Sequence, residues 1–539
     1  MTFGVHVSGS AAEAVARVVP RLVGDLVASG VTAQDPALWG AGAERDAADG
    51  LGWVEPIDGA RSVTAEVDGL RADWTERGID RVVLCASGGA AAAASVVAGT
   101  AGVELTVLEG ASPSEVRSAL GEDPASTGLV VSAASSLAVQ TEARIRAFER
   151  AFAEHGVDAA AHIVLVADPG SPLEGLARDA GYRFVPAPVD CGDPFSALTA
   201  RALVPAGLAG ASLDGLMREA ESVGLELAVD DERNPALRLA AALVGATPAR
   251  RVLLIVEDGT HIHGLGTWIA RLLAATLGSA SAPGRTSASP EAVPVVAGPL
   301  APEATAGHDD VQIVRLVDDA TAHHLLRADR HEGEILVSGS LGVQVMVWQY
   351  AAVIAARLLG TNPFAAPETA VDEAARSALQ EERPADTEPL APSAEDDTAV
   401  RIETAGAALG DPATLEAAID AVIEAVPPAG VLDVRAFADR DGLDRLAGIR
   451  ELAAARLGRP VVFDWAPGSA PIGDVVLQVV DASGPDLAAL DAEIGFARLQ
   501  RELARAEARL LAERGIPVLT LTLTDPSENL VPLFAAVDQ

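Results

Sequence analysis

The stretch RVVLCASGGAAAAAS (residues 81–95) sets an apolar run with no polar alternation against a Ser-Gly-Gly turn and an unbroken alanine run. A strand with one wet face would alternate, so the run reads as a strand buried on both sides, turning directly into a helix. The pattern repeats downstream in ELTVLEG (104–110), GLVVSAAS (128–135), AHIVLVADPG (161–170) and RFVPAP (183–188), each followed by helical periodicity. It restarts with RVLLIVEDG (251–259), VPVVAG (293–298), VQIVRLVD (311–318) and GEILVSG (333–339). Apolar strands alternating with helices predict α/β units with parallel sheets covered on both faces.

A third set, VLDVRAF (431–437), RPVVFDW (459–465), DVVLQVVD (474–481) and PVLTLTLTD (517–525), surrounds a long helix, GFARLQRELARAEARLLAERG (495–515). The Pro- and Glu-rich stretch EERPADTEPLAPSAEDD (381–397) reads as a linker. The expected division is an N-terminal segment with a first sheet domain (1–215), a second sheet domain (216–380), the linker, and a smaller C-terminal α/β unit (398–539).

The chain has 539 residues, 49% of them hydrophobic and 22% charged, with a formal net charge of −38. Such a balance repels phosphate backbones and anionic headgroups, so neither nucleic acid nor a membrane surface is expected as a partner. All 39 basic residues are arginine. Without lysine there is no Schiff base, P-loop cation or lysine general base. The N-terminus lacks a basic segment followed by an apolar one, and Cys85 and Cys191 are too few for a disulfide framework, which sets the expectation of a cytoplasmic protein.

Ligands of open parallel sheets lie at the carboxyl ends of the strands. Three turns there carry polar or glycine chemistry. Gly88 and Gly89 can bring backbone N–H groups to an anion or serve as a packing device. Ser132, Ser135, Ser136 and Thr141 can donate to phosphate oxygens or act as ordinary N-caps. In VEDGTHIHGLG (256–266), Glu257, Asp258, His261 and His263 offer metal-ligand atoms, but the spacing supplies no complete set, so neither metal nor another cofactor is expected. His323, His324 and His331 sit among charged neighbours, as at a solvated helix end.

Beyond these turns, DPALWG (35–40), TAGVELTVLEG (100–110), ADPGSPLEGLARDAGYR (167–183), FSALTARALVPAGLAG (195–210), RNPALRLAAALVG (233–245) and VSGSLGVQVMVWQYAAVIAARLLGTNPF (337–364) follow one another in an order that resembles the glucose-6-phosphate isomerases, in particular the actinobacterial type. The resemblance implies two flavodoxin-like sugar-isomerase (SIS) α/β/α domains and interconversion of glucose 6-phosphate and fructose 6-phosphate, a step of glycolysis and gluconeogenesis.

That reaction needs a phosphate clamp, a carboxylate to carry a proton between C2 and C1, and a cation for the enediolate. Against the family's GMGGSSLAPE the chain reads ASGGAAAAAS, keeping Gly88 and Gly89 but placing Ala90 and Ala91 at the serines. Against SSKSGSTVET it reads SAASSLAVQT, so Ser132, Ser135 and Thr141 match while Ala134 replaces lysine. The family arginine falls at Pro194, the proton-transferring glutamate at Ala275, and two further lysines at Ser279 and Glu373. The ring-opening histidine has no counterpart, Ser338 and Gly339 lying nearest. The resemblance therefore implies a degenerate homologue with no catalytic residue in place and a residual phosphate clamp of Gly88, Gly89, Ser132, Ser135 and Thr141. It would bind sugar phosphate weakly and act by association, as a homodimer or as a heteromer with an isomerase-like subunit. The competing expectation is an active isomerase using replacement residues such as Glu257, Asp258 or Arg271.

The apolar stretch VQVMVWQYAAVIAARLLG (343–360) must be enclosed by protein. It can serve either as a subunit contact or as a core helix.

Overall fold

The computed structural model describes residues 3–55, 57–133, 137–278, 292–326, 333–366, 369–381, 400–483, 485–490 and 494–539. It opens with a short strand, β1 (Gly4–Val7). Helices then lead to the first sheet, built from β2 (Arg81–Cys85), β3 (Thr106–Leu108), β4 (Thr127–Ser132), β5 (Ile163–Ala167) and β6 (Arg183–Pro186). These strands are all parallel, in the order β3-β2-β4-β5-β6, which is the flavodoxin-like arrangement. The lack of alternation in the sequence has its counterpart here: Val82 and Leu84 face one hydrophobic core, Val83 and Cys85 the other.

The second sheet contains β7 (Val252–Glu257), β8 (Val293–Ala297), β9 (Val311–Leu316) and β10 (Ile335–Ser338), in the order β1-β10-β9-β7-β8. β1 pairs antiparallel with β10. The N-terminal strand, grouped by position with the first domain, thus completes the sheet of the second. The helix Leu341–Leu359 is buried from 341 to 356 among the helices Leu213–Leu227, Pro235–Val244 and Leu265–Leu277. Among the described residues it alone is long and apolar enough to cross a membrane, and here it is the core helix of the second unit. Its own chain encloses residues 341–356, as the core-helix reading requires.

The third sheet comprises β11 (Val400–Ala405), β12 (Leu432–Phe437), β13 (Val461–Trp465), β14 (Val475–Asp481) and β15 (Val518–Leu523), in the order β11-β15-β14-β12-β13. Only β11 runs antiparallel. Strand for strand this is the topology of the second unit, down to an antiparallel edge supplied from upstream. Almost all of the expected linker, 382–397, lies outside the described residues.

The edge strands β8 and β13 lie side by side, and arginines bridge the two units. Arg459 reaches Asp310 at 2.6 Å, Arg251 reaches Asp474 at 2.8 Å, and Arg450 pairs with buried Glu303. The first and third units share an apolar core, in which Phe437, Phe496, Leu499 and Leu503 pack with Cys85, Leu108 and Val131.

Candidate active site

At the end of β2 the chain turns through Gly88, whose φ of +67° suits glycine, into the alanine-rich helix Gly88–Ala101. The close approach of another segment requires both glycines. A Cβ on Gly88 would stand 2.6 Å from an Asp193 carboxylate oxygen, and one on Gly89 would stand 2.4 Å from the Asp193 carbonyl oxygen. The Asp193 carboxylate accepts from the N–H groups of Gly89 (2.5 Å) and Ala90 (3.2 Å). Burial pushes the Asp193 carboxyl above its ordinary range, although these two donors and the Arg201 and Arg271 guanidiniums favour the charged form.

The second turn is arranged alike. Ser132 ends β4 buried, its hydroxyl donating to the Arg201 carbonyl at 3.0 Å. Ser135 and Ser136 lie outside the described residues. The helix Val139–Glu154 follows, with Thr141 buried in its first turn, and its leading N–H, from Val139, donates to the Asp372 carboxylate at 2.6 Å. Burial raises the Asp372 carboxyl against that hydrogen bond and the nearby Arg376.

Two further helix starts behind strands are capped in the same way. Gly266 N–H donates to Glu257 at 2.8 Å, and Gly342 N–H donates to Glu219 at 3.1 Å. The partial positive charge at each of these helix N-termini is therefore neutralised by the chain's own acid.

The positions that the resemblance assigned to catalysis are not buried together. Ala275 is exposed, Pro194 is half-buried, and Glu373 is exposed with its carboxylate accepting from Thr369. His261 pairs with Asp318 at the surface. Among the described residues no group of three or more His, Cys, Asp and Glu side chains could hold a metal.

A charged cluster lies instead where the three units meet. Glu109, just past β3 and 3% exposed, accepts from Arg271 of the second unit at 2.7 and 3.2 Å and from Arg440 of the third at 2.5 Å. Arg271 also donates to Asp464 on β13 at 3.2 Å and to the Gly88 carbonyl at 3.1 Å. Burial alone would raise the Glu109 carboxyl, but Arg271 and Arg440 outweigh it and hold it below its ordinary range. Asp464 is lowered likewise, against its burial, by Arg271 and Arg435. Arg271 was noted in the sequence only as a replacement candidate, and Glu109, Arg440 and Asp464 were not singled out. The available signals were an arginine in an otherwise apolar helix (265–277) and an acid closing an apolar strand (104–110).

No family model matches the sequence. A curated probable glucose-6-phosphate isomerase from Haloarcula marismortui is 29% identical over 174 residues, which is 32% of this chain. The match spans 40% of that relative's length. Among solved structures, a hypothetical protein from Thermus thermophilus superposes with a TM-score of 0.56 at 20% identity, covering 70% of this chain and all of its own. A glucose-6-phosphate isomerase from Chlamydia trachomatis gives a TM-score of 0.47 at 14% identity, over 63% of this chain and 74% of that one. The Thermus likeness shows a shared fold.

Proposed function

We propose that the chain is a glucose-6-phosphate isomerase homologue of the actinobacterial type that has given up aldose–ketose isomerisation. It would work in the cytoplasm through association, with a second copy or with an isomerase-like subunit. The observation carrying this reading is the placement of Asp193 and Asp372 on the two helix N-termini that the resemblance assigns to the phosphate clamp. A phosphate there would meet donors already engaged and a second negative charge. The chemistry is missing as well, since Ala275 cannot carry a proton and Pro194 cannot stabilise an enediolate. Loss of one positioned group costs about 100-fold or more, and loss of several leaves mainly residual binding. A coupled assay of purified protein, beside a family member with intact residues, is expected to show no turnover. Turnover within about tenfold of an ordinary 10 per second would overturn the reading.

One observation favours an active isomerase. The Glu109–Arg271 pair beside the Gly88 turn supplies a carboxylate and a cation of the types required. Two guanidiniums hold that carboxylate low, however, which makes it a weak base. Any activity in the native protein that disappears in Glu109→Gln would support this second reading.

A further inference from the structure

Among the described residues β11 pairs with β15 on one side and with no strand on the other, so its outer N–H and C=O groups form an open sheet edge. Both faces of the strand are backed. Val400 and Ile402 pack with Ile419 and Val422 of the helix Leu415–Ala425, and Ala405 packs on the other side with Ala508 and Leu511 of the helix Phe496–Glu513. Residues of β11 and of that second helix line a groove of about 520 Å3. Its walls carry the small side chains Ala405, Ala508 and Ala512 and a balanced set of charges, Glu403 and Glu513 with Arg505 and Arg509. An added strand would find hydrogen-bonding groups at its side and small side chains against its face.

The side chains of β11 specify which strand that is. Alternation sets Arg401 and Glu403 on the face of the helix Phe496–Glu513, where Arg401 reaches Glu403 at 2.9 Å and Arg505 reaches it at 3.8 Å. Ile402 lies on the opposite face. A second β11 laid antiparallel about a two-fold axis at Ile402 puts Arg401 of each copy across from Glu403 of the other, and Ile402 across from Ile402. Centring the axis on Arg401 or on Glu403, or running the strands parallel in register, would oppose like charges instead. A net charge of −38 repels a second copy in general, but at this edge the acids and arginines of the groove cancel and Arg401 adds a positive charge.

We propose that β11 is a self-pairing edge: two copies of the chain join antiparallel through Val400–Ala405, centred on Ile402, and merge their five-stranded third sheets into one. The proposal rests on the proposed association with a second copy and names its surface. A contact of six residues a side is small beside a standard interface, so the dimer is a reversible one of micromolar strength.

Sedimentation of the full chain from about 1 to about 100 micromolar is expected to show monomer passing into dimer. Arg401→Glu makes this face of the edge acidic and Glu403→Arg makes it basic, and unchanged melting temperatures verify that both fold. Each variant alone should dimerise at least about tenfold more weakly than wild type. An equimolar mixture of the two should recover the dimer, because opposite charges then face each other again. Amide exchange across 400–405 should slow as the wild-type concentration rises, and if a charge reversal fails to fold this measurement decides alone. A wild type that stays monomeric, a dimer that neither variant weakens, a mixture no stronger than its components, or exchange at 400–405 that does not change with concentration would each overturn the proposal. The coupled assay reads the loss of isomerisation separately: an active dimer would sink that loss and keep the edge, and an inactive monomer would do the reverse.

Discussion

The second and third units share a strand order and an antiparallel edge, yet they bury opposite kinds of helix. Leu341–Leu359 in the second unit is apolar on nearly every face, and Trp348 donates to Gln344 on its own helix at 2.9 Å. Phe496–Glu513 in the third buries Gln500, Glu502 and Glu507. Glu507 takes a two-point contact from Arg435 on β12, at 2.8 and 2.9 Å, and a further bond from Gln478 on β14 at 2.9 Å. Thr520 on β15 continues the row by donating to Gln478 at 2.8 Å. One topology thus accepts an oily core or a polar row, provided that each buried charge is given partners. The polar row also reaches the charged cluster, since Arg435 donates to the Ser469 carbonyl at 2.6 Å and the Ser469 hydroxyl donates to Asp464.

The largest expected effect breaks the polar row from one side. Arg435→Ala leaves Glu507 buried without its cation and should cost about 3–5 kcal/mol, read as a fall in the denaturation midpoint. Replacing both partners, as in Arg435→Met/Glu507→Leu, should recover most of that loss. If the double variant is no better than the single one, the row does more than satisfy itself, and the comparison with the apolar helix fails. In the second unit the corresponding test is Trp348→Ala, which opens a cavity and should also cost about 3–5 kcal/mol, with no partner substitution able to restore it.

A smaller effect depends on pH. Asp433 on β12 is fully buried, accepts from the Ile472 N–H at 2.9 Å, and is pushed by burial up to about 6 despite Arg435 nearby. Because the folded value lies above the unfolded one, its contribution to stability is fullest below about pH 4 and is lost as the pH rises through 6. Wild type should therefore lose roughly 3 kcal/mol relative to Asp433→Asn between pH 4 and 7.5, measured as the difference between two urea titrations. A constant difference across that range would mean that Asp433 is not the ionising group.

How far the sequence reaches follows from where its signals are local. Among the described residues, the parallel strands announce themselves because most are buried on both faces, which forces continuous apolar runs. β1 (GVHV) and β11 (VRIETA) are half-exposed edge strands with too little apolar pattern to stand out, and pairing partners more than a hundred residues away complete their meaning. The site divides in the same way. Gly88, Gly89, Ser132 and Thr141 can be found because they sit at strand ends, whereas their carboxylate neighbours cannot. Asp193 lies 104 residues from Gly89, and Asp372 lies 233 from Val139. Likewise the chain of contacts Arg440–Glu109–Arg271–Asp464 exists only once three units are docked.

The smallest effect tests the carboxylate caps directly. Asp372→Ala removes the acceptor from the first N–H of the helix Val139–Glu154, and loss of an N-terminal acceptor typically costs about 1 kcal/mol. The same substitution frees that helix end, beside Ser132 and Thr141, for an external anion. With inorganic phosphate at ten times a millimolar dissociation constant, mass action would return about 1.4 kcal/mol. The variant should therefore melt below wild type in a phosphate-free buffer and close the gap as phosphate is added, while wild type responds little because its own acid holds the place. Ionic strength must be matched with chloride, since a chain of net charge −38 gains stability from salt alone. An equal phosphate response in the two proteins would show that Asp372 does not stand in for a ligand, and the proposed function would lose part of the observation that carries it.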